Sequence, residues 1–216
     1  MRTRRNGKRG GFTLIEIAIA CAVLGLVLGA LSGVIDSTRK SYGQGSAQAR
    51  VQADARRAID RIAAELENGG VGTLIPNPIG VAANDLVYQV VSGVNLLNNT
   101  VTFDNSSRLR FAYETGETNN NVDDDGDGLV DEGRVVLTRD YLAAGELSTT
   151  LVKGVSELLE GENANGADDN GNGFADERGF CMTLQGNLLV LRLTLARPID
   201  GRSVVASVQT SVRLKN

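Results

Sequence analysis

A continuous apolar segment near the N-terminus constrains the fold of this chain more strongly than any other feature. The segment runs from Phe12 to Ile35, and its 24 residues contain a single charge, Glu16. As an α-helix with a rise of about 1.5 Å per residue, it would be roughly 36 Å long, which is enough to span a bilayer. The sequence therefore predicts a transmembrane helix over residues 12–35.

The residues before this segment form a basic leader, residues 1–11. It has five basic residues and no acidic one: Arg2, Arg4, Arg5, Lys8 and Arg9. By the positive-inside rule the leader would stay in the cytoplasm, and the rest of the chain would lie outside. A secretory signal peptide has its small-residue cleavage site after the apolar core, whereas Gly10 and Gly11 precede the core here. Cleavage at this place would leave the apolar helix on the mature protein.

The residues around Gly11 resemble a known processing signal. Residues 8–16, with the sequence KRGGFTLIE, are similar to the class III leader of type IV prepilins and type II secretion pseudopilins. The resemblance implies that a prepilin peptidase cuts after Gly11 and methylates the new amine on Phe12. It also implies other pilin-like subunits as partners and a single-pass protein in the bacterial inner membrane, with its C-terminal head outside the cytoplasm. The final location would be a periplasmic pseudopilus or a cell-surface pilus.

Glu16 is the expected assembly residue, since a carboxylate within an apolar helix is costly and usually marks a function. In a helical filament it would pair with the positive N-terminal amine of a neighbouring subunit, which would set the axial register and neutralise both charges. The alternative is a tolerated charge that snorkels at the membrane face. Gly25, Gly29 and Gly33 either allow close helix packing in lipid or simply loosen the helix.

Residues 36–68 predict a polar continuation of the N-terminal helix. Between Ala47 and Asn68, apolar residues recur at steps of three and four, as in an amphipathic helix. The stripe consists of Val51, Ala55, Ile59, Ile62, Ala63 and Leu66. We expect Gly43 and Gly45 to interrupt or bend the helix and Gly69-Gly70 to end it.

Residues 69–216 predict a β-rich head outside the cytoplasm. The strand candidates are Leu86–Val91, Thr100–Phe103, Arg108–Tyr113, Arg134–Arg139, Phe180–Leu184, Leu188–Ala196 and Ser203–Leu214. Gly186-Asn187 and Asp200-Gly201 predict hairpin turns, and Leu147–Leu159 suits either a strand or a helical turn. The predicted fold class is α+β and pilin-like. A long N-terminal helix, first transmembrane and then amphipathic, packs on a mainly antiparallel β-sheet head that carries two calcium-type loops.

The C-terminal half resembles one branch of the pilin family. Residues 134–216 contain LVKGVSELLE, an insertion, the hairpin GNLLVLRLTLARP and a final strand ending in SVRLKN. This order is similar to the W-type minor pilins and the J-type minor pseudopilins of type II secretion. The mature length of 205 residues also fits that branch better than the smaller major subunits.

A short internal repeat lies within the head. Residues 120–132, NNVDDDGDGLVDE, and residues 165–177, NGADDNGNGFADE, align without gaps at a distance of 45 residues. Oxygen donors at alternate positions, with glycines that allow a tight turn, suit Ca²⁺, which binds six to eight hard oxygens at about 2.3–2.6 Å. The repeat resembles the calcium loops of EF-hand-like and thrombospondin-type repeats, and it predicts two Ca²⁺ sites.

The candidate ligands occupy corresponding places in the two copies. They are Asp123, Asp125, Asp127, the Leu129 carbonyl, Asp131 and Glu132, followed by Asp168, Asn170, Asn172, the Phe174 carbonyl, Asp176 and Glu177. The twelfth position of an EF-hand holds a bidentate glutamate, but Arg134 and Gly179 stand there in this chain. The closing ligand is therefore left open. The first copy has six acidic residues and the second four, so the first is the stronger candidate. The alternative is a pair of solvated acidic turns that bind no metal.

Composition excludes several classes of function. The chain has no histidine, which removes the usual general base, and we expect no enzyme activity. Without its leader the net charge falls from −4 to −9, which argues against nucleic acid as a partner. Cys21 and Cys181 are read as small hydrophobic residues rather than a disulfide.

These features predict a minor pilin or pseudopilin. It would be a structural subunit that primes or caps a type IV pilus or a type II secretion pseudopilus, after prepilin peptidase cleavage between Gly11 and Phe12. The alternative is a filament-tip adhesin or ligand-binding subunit with a calcium-stabilised head.

Overall fold

The computed structural model of the protein describes residues 13–199 and 201–215. The predicted cleavage site at Gly11 and Phe12 lies outside the described residues, as does Asp200 of the predicted turn. The described elements are one long helix, a short 3-10 helix and seven strands. Their bounds are α1 Leu14–Leu66, the 3-10 helix Val71–Thr73, β1 Asp85–Asn95, β2 Thr100–Tyr113, β3 Gly133–Arg139, β4 Leu147–Val155, β5 Phe180–Gln185, β6 Leu188–Ile199 and β7 Arg202–Arg213.

Helix α1 is continuous from Leu14 to Leu66, over 53 residues. Gly43 and Gly45 lie within it, so these glycines do not interrupt the helix, and the first of the two expected effects, interruption or bending, is wrong. A glycine costs a helix only about 1 kcal/mol relative to alanine, which the hydrogen bonds of a long helix can absorb. The chain forms two compact units, residues 1–46 and 47–216, and the division between them falls inside α1.

The N-terminal part of α1 is apolar on all sides. Its large side chains are exposed, as Leu14, Leu26 and Val34 illustrate. Among the described elements, α1 is the one helix that is long and apolar enough to cross a membrane. A helix without a polar face suits lipid on every side, which agrees with the predicted membrane segment.

The C-terminal part of α1 carries the helix side of the hydrophobic core. Its buried residues are Ala47, Val51, Ala55, Ala58, Ile59, Ile62 and Leu66. The predicted stripe is confirmed, with Ala63 partly buried at its edge. The stripe belongs to the same core cluster as Leu109 of β2 and Leu191 of β6. The helix is thus packed on the sheet, as the α+β prediction requires.

The glycine pair after α1 ends the helix, as predicted. The Gly69 N–H donates to the Leu66 carbonyl at 2.8 Å. A Cβ on Gly70 would lie 2.7 Å from the Phe103 ring, so a larger residue here would require that ring of β2 to move.

The seven described strands form one sheet, and every pair in it is antiparallel. The strand order is β1-β2-β3-β4-β6-β5, and β7 also pairs with β6. Strands β4 and β5 pair with different parts of β6, at Leu195 and at residues 188–193. The predicted hairpin at Gly186-Asn187 is confirmed by the pairing of β5 with β6. Strands β6 and β7 also form a hairpin, in which Ile199 pairs with Arg202.

Two strand predictions need correction. The segments Thr100–Phe103 and Arg108–Tyr113 are parts of the single strand β2 rather than separate strands. Two of the polar residues between them pair with β1, since Ser106 lies opposite Gln89 and Ser107 opposite Tyr88, and the register shifts between Ser106 and Phe103. The ambiguous segment that begins at Leu147 is strand β4 as far as Val155.

Both acidic repeats leave the sheet at the same end. The first lies between the end of β2 and the start of β3, where Tyr113 pairs with Gly133. The second lies between the end of β4 and the start of β5, and Val155 at the end of β4 pairs with Gly133. The two loops therefore start from neighbouring strand ends.

The core role of Ile62 can be tested by truncation. This side chain is fully buried in the core, so Ile62→Ala should lower the free energy of unfolding by about 2–5 kcal/mol. Denaturant unfolding of the full chain in detergent measures the change. Arg61→Ala, at an exposed neighbouring position, is the matched control and should change stability by less than about 0.5 kcal/mol. Equal effects of the two variants would contradict the helix-on-sheet core.

Candidate functional sites

Glu16, the predicted assembly residue, closes a capping box at the start of α1. Its Oε2 accepts hydrogen bonds from the Thr13 N–H at 2.8 Å and from the Thr13 hydroxyl at 2.9 Å. In return, the Glu16 N–H donates to the Thr13 hydroxyl oxygen at 3.3 Å. This reciprocal pattern satisfies donors that the first turn of a helix leaves unpaired. The helix N-terminus also favours the negative charge of Glu16.

The acidic repeats fold into two closely similar loops, which we call the first acidic loop (residues 117–132) and the second acidic loop (residues 162–177). Each loop winds around its first aspartate. Asp123 accepts from the Gly126 N–H at 2.6 Å and from the Gly128 N–H at 2.9 Å. These glycines have φ values of +78° and +94°, a conformation in which residues with a Cβ are strained.

The second acidic loop repeats this winding. Asp168 accepts from the Gly171 N–H and the Gly173 N–H, both at 2.7 Å. Gly171 and Gly173 also have positive φ values, +74° and +95°. The glycines of the repeat therefore serve the same turn in both loops.

The alternate donors of the first acidic loop form successive turns that bring their oxygens close together. The Asp127 N–H donates to Asp125 Oδ1 at 3.0 Å, and the Leu129 N–H donates to Asp127 Oδ1 at 2.9 Å. Asp123, Asp125 and Asp127 each place one carboxylate oxygen within 4.8 Å of the others. Such side-chain-to-backbone turns are typical of aspartate and asparagine. The predicted alternation therefore becomes a cluster of oxygens.

The second acidic loop makes the same turns with amides. The Asn172 N–H donates to Asn170 Oδ1, and the Phe174 N–H donates to Asn172 Oδ1, both at 3.0 Å. The second loop therefore has the same turns as the first and a less negative charge. The Arg192 guanidinium lies 5.9 Å from the centre of the Phe174 ring.

Each loop contains a glutamate that was not among the predicted site residues and that accepts hydrogen bonds from the loop backbone. Glu117 Oε1 accepts from the N–H groups of Asp124 and Asp125 at 3.0 and 2.9 Å. Its Oε2 accepts from the Asp131 N–H at 3.2 Å. Glu162 does the same in the second loop, with Asn170 N–H at 3.0 Å and Asp176 N–H at 3.1 Å. The dipeptides Gly116-Glu117 and Gly161-Glu162 keep the spacing of 45 residues, so extending the repeat towards the N-terminus would have found them.

Two of the predicted metal ligands hold the ends of the loops together. Asp131 is fully buried, and it accepts from the N–H groups of Asn120 at 3.0 Å and Asn121 at 2.7 Å. Asp176 accepts from the N–H groups of Asn165 at 3.0 Å and Gly166 at 2.8 Å. Both oxygens of each aspartate are thus engaged with the backbone of their own loop.

The residue after each of these aspartates is a buried glutamate that, unlike the aspartate, accepts no hydrogen bond within the described part of the chain. Glu132 is 1% exposed and Glu177 is 3% exposed. Among the described residues, neither carboxylate has a hydrogen-bond partner on either oxygen. Glu132 also lies in a group with Glu117 and Asp125, in which one oxygen of each is within 4.8 Å of the others.

The electrostatics of these glutamates reflect their burial. Desolvation raises the pKa of the Glu132 carboxyl to about 7, and the negative charges of Asp127, Glu117 and Asp125 add to this effect. Desolvation likewise raises the pKa of the Glu177 carboxyl. A buried carboxylate without a partner destabilises the fold unless a cation or a proton compensates it.

The stems of the two loops touch through one arginine. Arg178, which directly follows Glu177, forms an ion pair with Glu157. Its guanidinium also lies 5.9 Å from the centre of the Phe111 ring and 5.6 Å from that of the Tyr113 ring. Phe111 and Tyr113 belong to the end of β2, where the first loop begins. The structure thus links the end of the second loop to the start of the first.

The N-terminal segment matches a known family signature. Residues 6–32 fit the family model described as the prokaryotic N-terminal methylation motif. This signature supports a type IV pilin-like protein. No curated protein and no solved structure matches it. A motif of this kind indicates a structural subunit, and it implies processing by a prepilin peptidase and assembly with other pilins.

The loop-closing role of Asp131 gives a direct test of the loop geometry. Asp131→Ala removes the acceptor of two backbone N–H groups, so the full chain in EDTA should lose about 1–3 kcal/mol of stability. The amides of Asn120 and Asn121 should then exchange with solvent faster, which hydrogen-exchange mass spectrometry measures. Asp104→Ala, at an exposed position on β2, should leave that exchange unchanged. Equal protection of these amides in both variants would contradict the described loop.

Proposed function

We propose that the chain is a minor pilin or pseudopilin, a structural subunit that primes or caps a type IV pilus or a type II secretion pseudopilus. The observation that carries the proposal is the combination found in α1. The helix begins within a prepilin methylation motif, continues as an apolar segment of membrane length, and ends as the helix face of a β-sheet core. Such a helix suits a subunit that is first inserted in the membrane and is then incorporated into the helix bundle of a filament.

The proposed route begins in the bacterial inner membrane. The basic leader stays in the cytoplasm and the head lies outside, so the chain crosses the membrane once. Cleavage between Gly11 and Phe12 frees a positive amine at the start of the apolar helix. The mature subunit then joins a periplasmic pseudopilus or a cell-surface pilus. The resemblance of residues 134–216 to W-type and J-type subunits favours a minor subunit over a major one.

Glu16 would guide assembly by pairing with the N-terminal amine of a neighbouring subunit. Within the described residues, its two hydrogen bonds as an acceptor both use Oε2, so Oε1 would be the acceptor for the amine. The capping box can therefore persist while the pair forms. In the apolar interior of a helix bundle the pair would neutralise two charges that are costly when isolated.

Removing the Glu16 carboxylate tests this role. In the native host, Glu16→Ala should reach the membrane at the wild-type level, because the apolar segment is unchanged. Its incorporation into filaments should fall about a hundredfold or more, since breaking a buried ion pair costs about 3–5 kcal/mol. Membrane flotation measures the first quantity, and the subunit content of sheared or purified filaments measures the second.

Ser32→Ala provides the matched control in the same helix. The Ser32 hydroxyl donates to the Leu28 carbonyl of its own helix, so its loss should affect neither quantity. Filaments that take up the Glu16→Ala subunit as well as the wild type would contradict the pairing role.

A further inference from the structure

We propose that the first and second acidic loops are two Ca²⁺ sites, each closed by the buried glutamate at its end, Glu132 in the first loop and Glu177 in the second. The sites belong to the head, and they would exist whichever filament the chain joins. Their ligand is a hard divalent cation.

The buried glutamates are the observation that points to a ligand. Both side chains are more than nine-tenths buried, and within the described residues all four of their carboxylate oxygens lack a hydrogen-bond partner. Buried polar groups are nearly always paired, so each exception needs an explanation. The exception occurs at the same position in both loops. A cation bound in each loop by its own glutamate would explain both cases.

The oxygens of the first acidic loop converge closely enough for one ion. Two ligands on opposite sides of a Ca²⁺ ion are separated by about twice 2.4 Å, or roughly 4.8 Å. The two acidic groups, Asp123-Asp125-Asp127 and Glu117-Asp125-Glu132, each lie within 4.8 Å. Asp125 belongs to both groups, so Glu132 lies beside the three aspartates in one cluster of oxygens.

A shell of six oxygens follows from this arrangement. Asp123, Asp125 and Asp127 give one oxygen each, the Leu129 carbonyl gives one, and Glu132 gives two. Glu117 and Asp131 lie outside the shell, because their oxygens accept backbone N–H groups that keep the loop in shape. Six is the lower limit of the usual Ca²⁺ coordination number, which leaves room for water.

The second acidic loop offers the same shell with less charge. Its donors are Asp168, Asn170, Asn172, the Phe174 carbonyl and Glu177. Two carboxylates replace the four of the first loop, and fewer anionic ligands give a lower affinity. We therefore expect the first loop to bind Ca²⁺ more tightly than the second.

The donor set favours Ca²⁺ over other metals. Every donor is a carboxylate, amide or carbonyl oxygen, which suits hard cations, and the chain has no histidine. Mg²⁺ requires near-ideal octahedral geometry and retains several waters. A shell made largely of protein oxygens, with a bidentate glutamate, suits the larger ion better.

The loops close earlier than an EF-hand does. Counted from Asp123, Glu132 stands at the tenth position rather than the twelfth, and β3 begins at the next residue, Gly133. At the twelfth position of the second loop, a Cβ on Gly179 would lie 1.9 Å from the Ser156 carbonyl oxygen. A side chain at this position would clash with the backbone, so the earlier glutamate has to close the shell.

The test uses the metal-stripped full chain in detergent micelles, with Ca²⁺ alone as the titrant in isothermal titration calorimetry. The wild type should bind two ions, whereas Glu132→Gln and Glu177→Gln should each bind one. Glu160→Gln, at an exposed position beside the second loop, is the matched control and should bind two. Mg²⁺ at the same concentration should bind at least tenfold more weakly.

Thermal unfolding of the same proteins gives an independent measurement. Ca²⁺ should raise the Tm of the wild type by mass action, and it should raise the Tm of the Glu132→Gln variant less. In EDTA no cation compensates the buried charge of Glu132, and the glutamine variant lacks that charge. The Glu132→Gln variant should then be at least as stable as the wild type.

Several results would overturn the proposal. The first is the absence of both heat and a Tm shift for the wild type in millimolar Ca²⁺. The second is the binding of two ions by both glutamine variants, which would remove Glu132 and Glu177 as ligands. If the wild type binds a single ion, one of the two sites is wrong. It is the site whose glutamine variant binds that ion as the wild type does. A glutamine variant that is less stable than the wild type in EDTA would contradict the uncompensated charge.

Discussion

The burial of one stripe of α1 against the antiparallel sheet is the interaction on which the head depends. Val51, Ile62 and Leu66 lie in the core cluster with side chains from the strands, and without them the inner face of the sheet would be open to water. The preceding part of the same helix has no such stripe and is apolar all round. A single helix thus carries two patterns, one suited to lipid or a helix bundle and the other to a protein core.

The spacing of apolar residues predicted most of this fold, because a buried face of a helix or strand needs apolar residues at the period of that element. The stripe of α1 and the hairpin at Gly186-Asn187 were correctly predicted. Strand β2 was divided in the prediction, because Asp104-Asn105-Ser106-Ser107 has the composition of a turn. The pairing of Ser106, Ser107 and Phe103 with β1 overrides that local preference. Sequence patterns do not report such long-range pairings.

The acidic loops show a similar limit at the level of single side chains. The alternation of oxygen donors predicted which residues would converge, and the structure brings Asp123, Asp125 and Asp127 together. The sequence could not distinguish Asp131 from Glu132, because both are acidic and adjacent. The structure separates them, since Asp131 binds backbone N–H groups and Glu132 is buried without a partner. Burial and hydrogen bonding, rather than residue type, assign the two roles.

The central claim is that the mature protein begins at Phe12 and retains the apolar part of α1. Intact mass spectrometry of the chain purified from membranes of its native host tests this claim most directly. The account predicts the mass of residues 12–216 with one added methyl group, which fragmentation places on the amine of Phe12. A chain that retains Met1, or one whose N-terminus lies beyond Ile35, would contradict it.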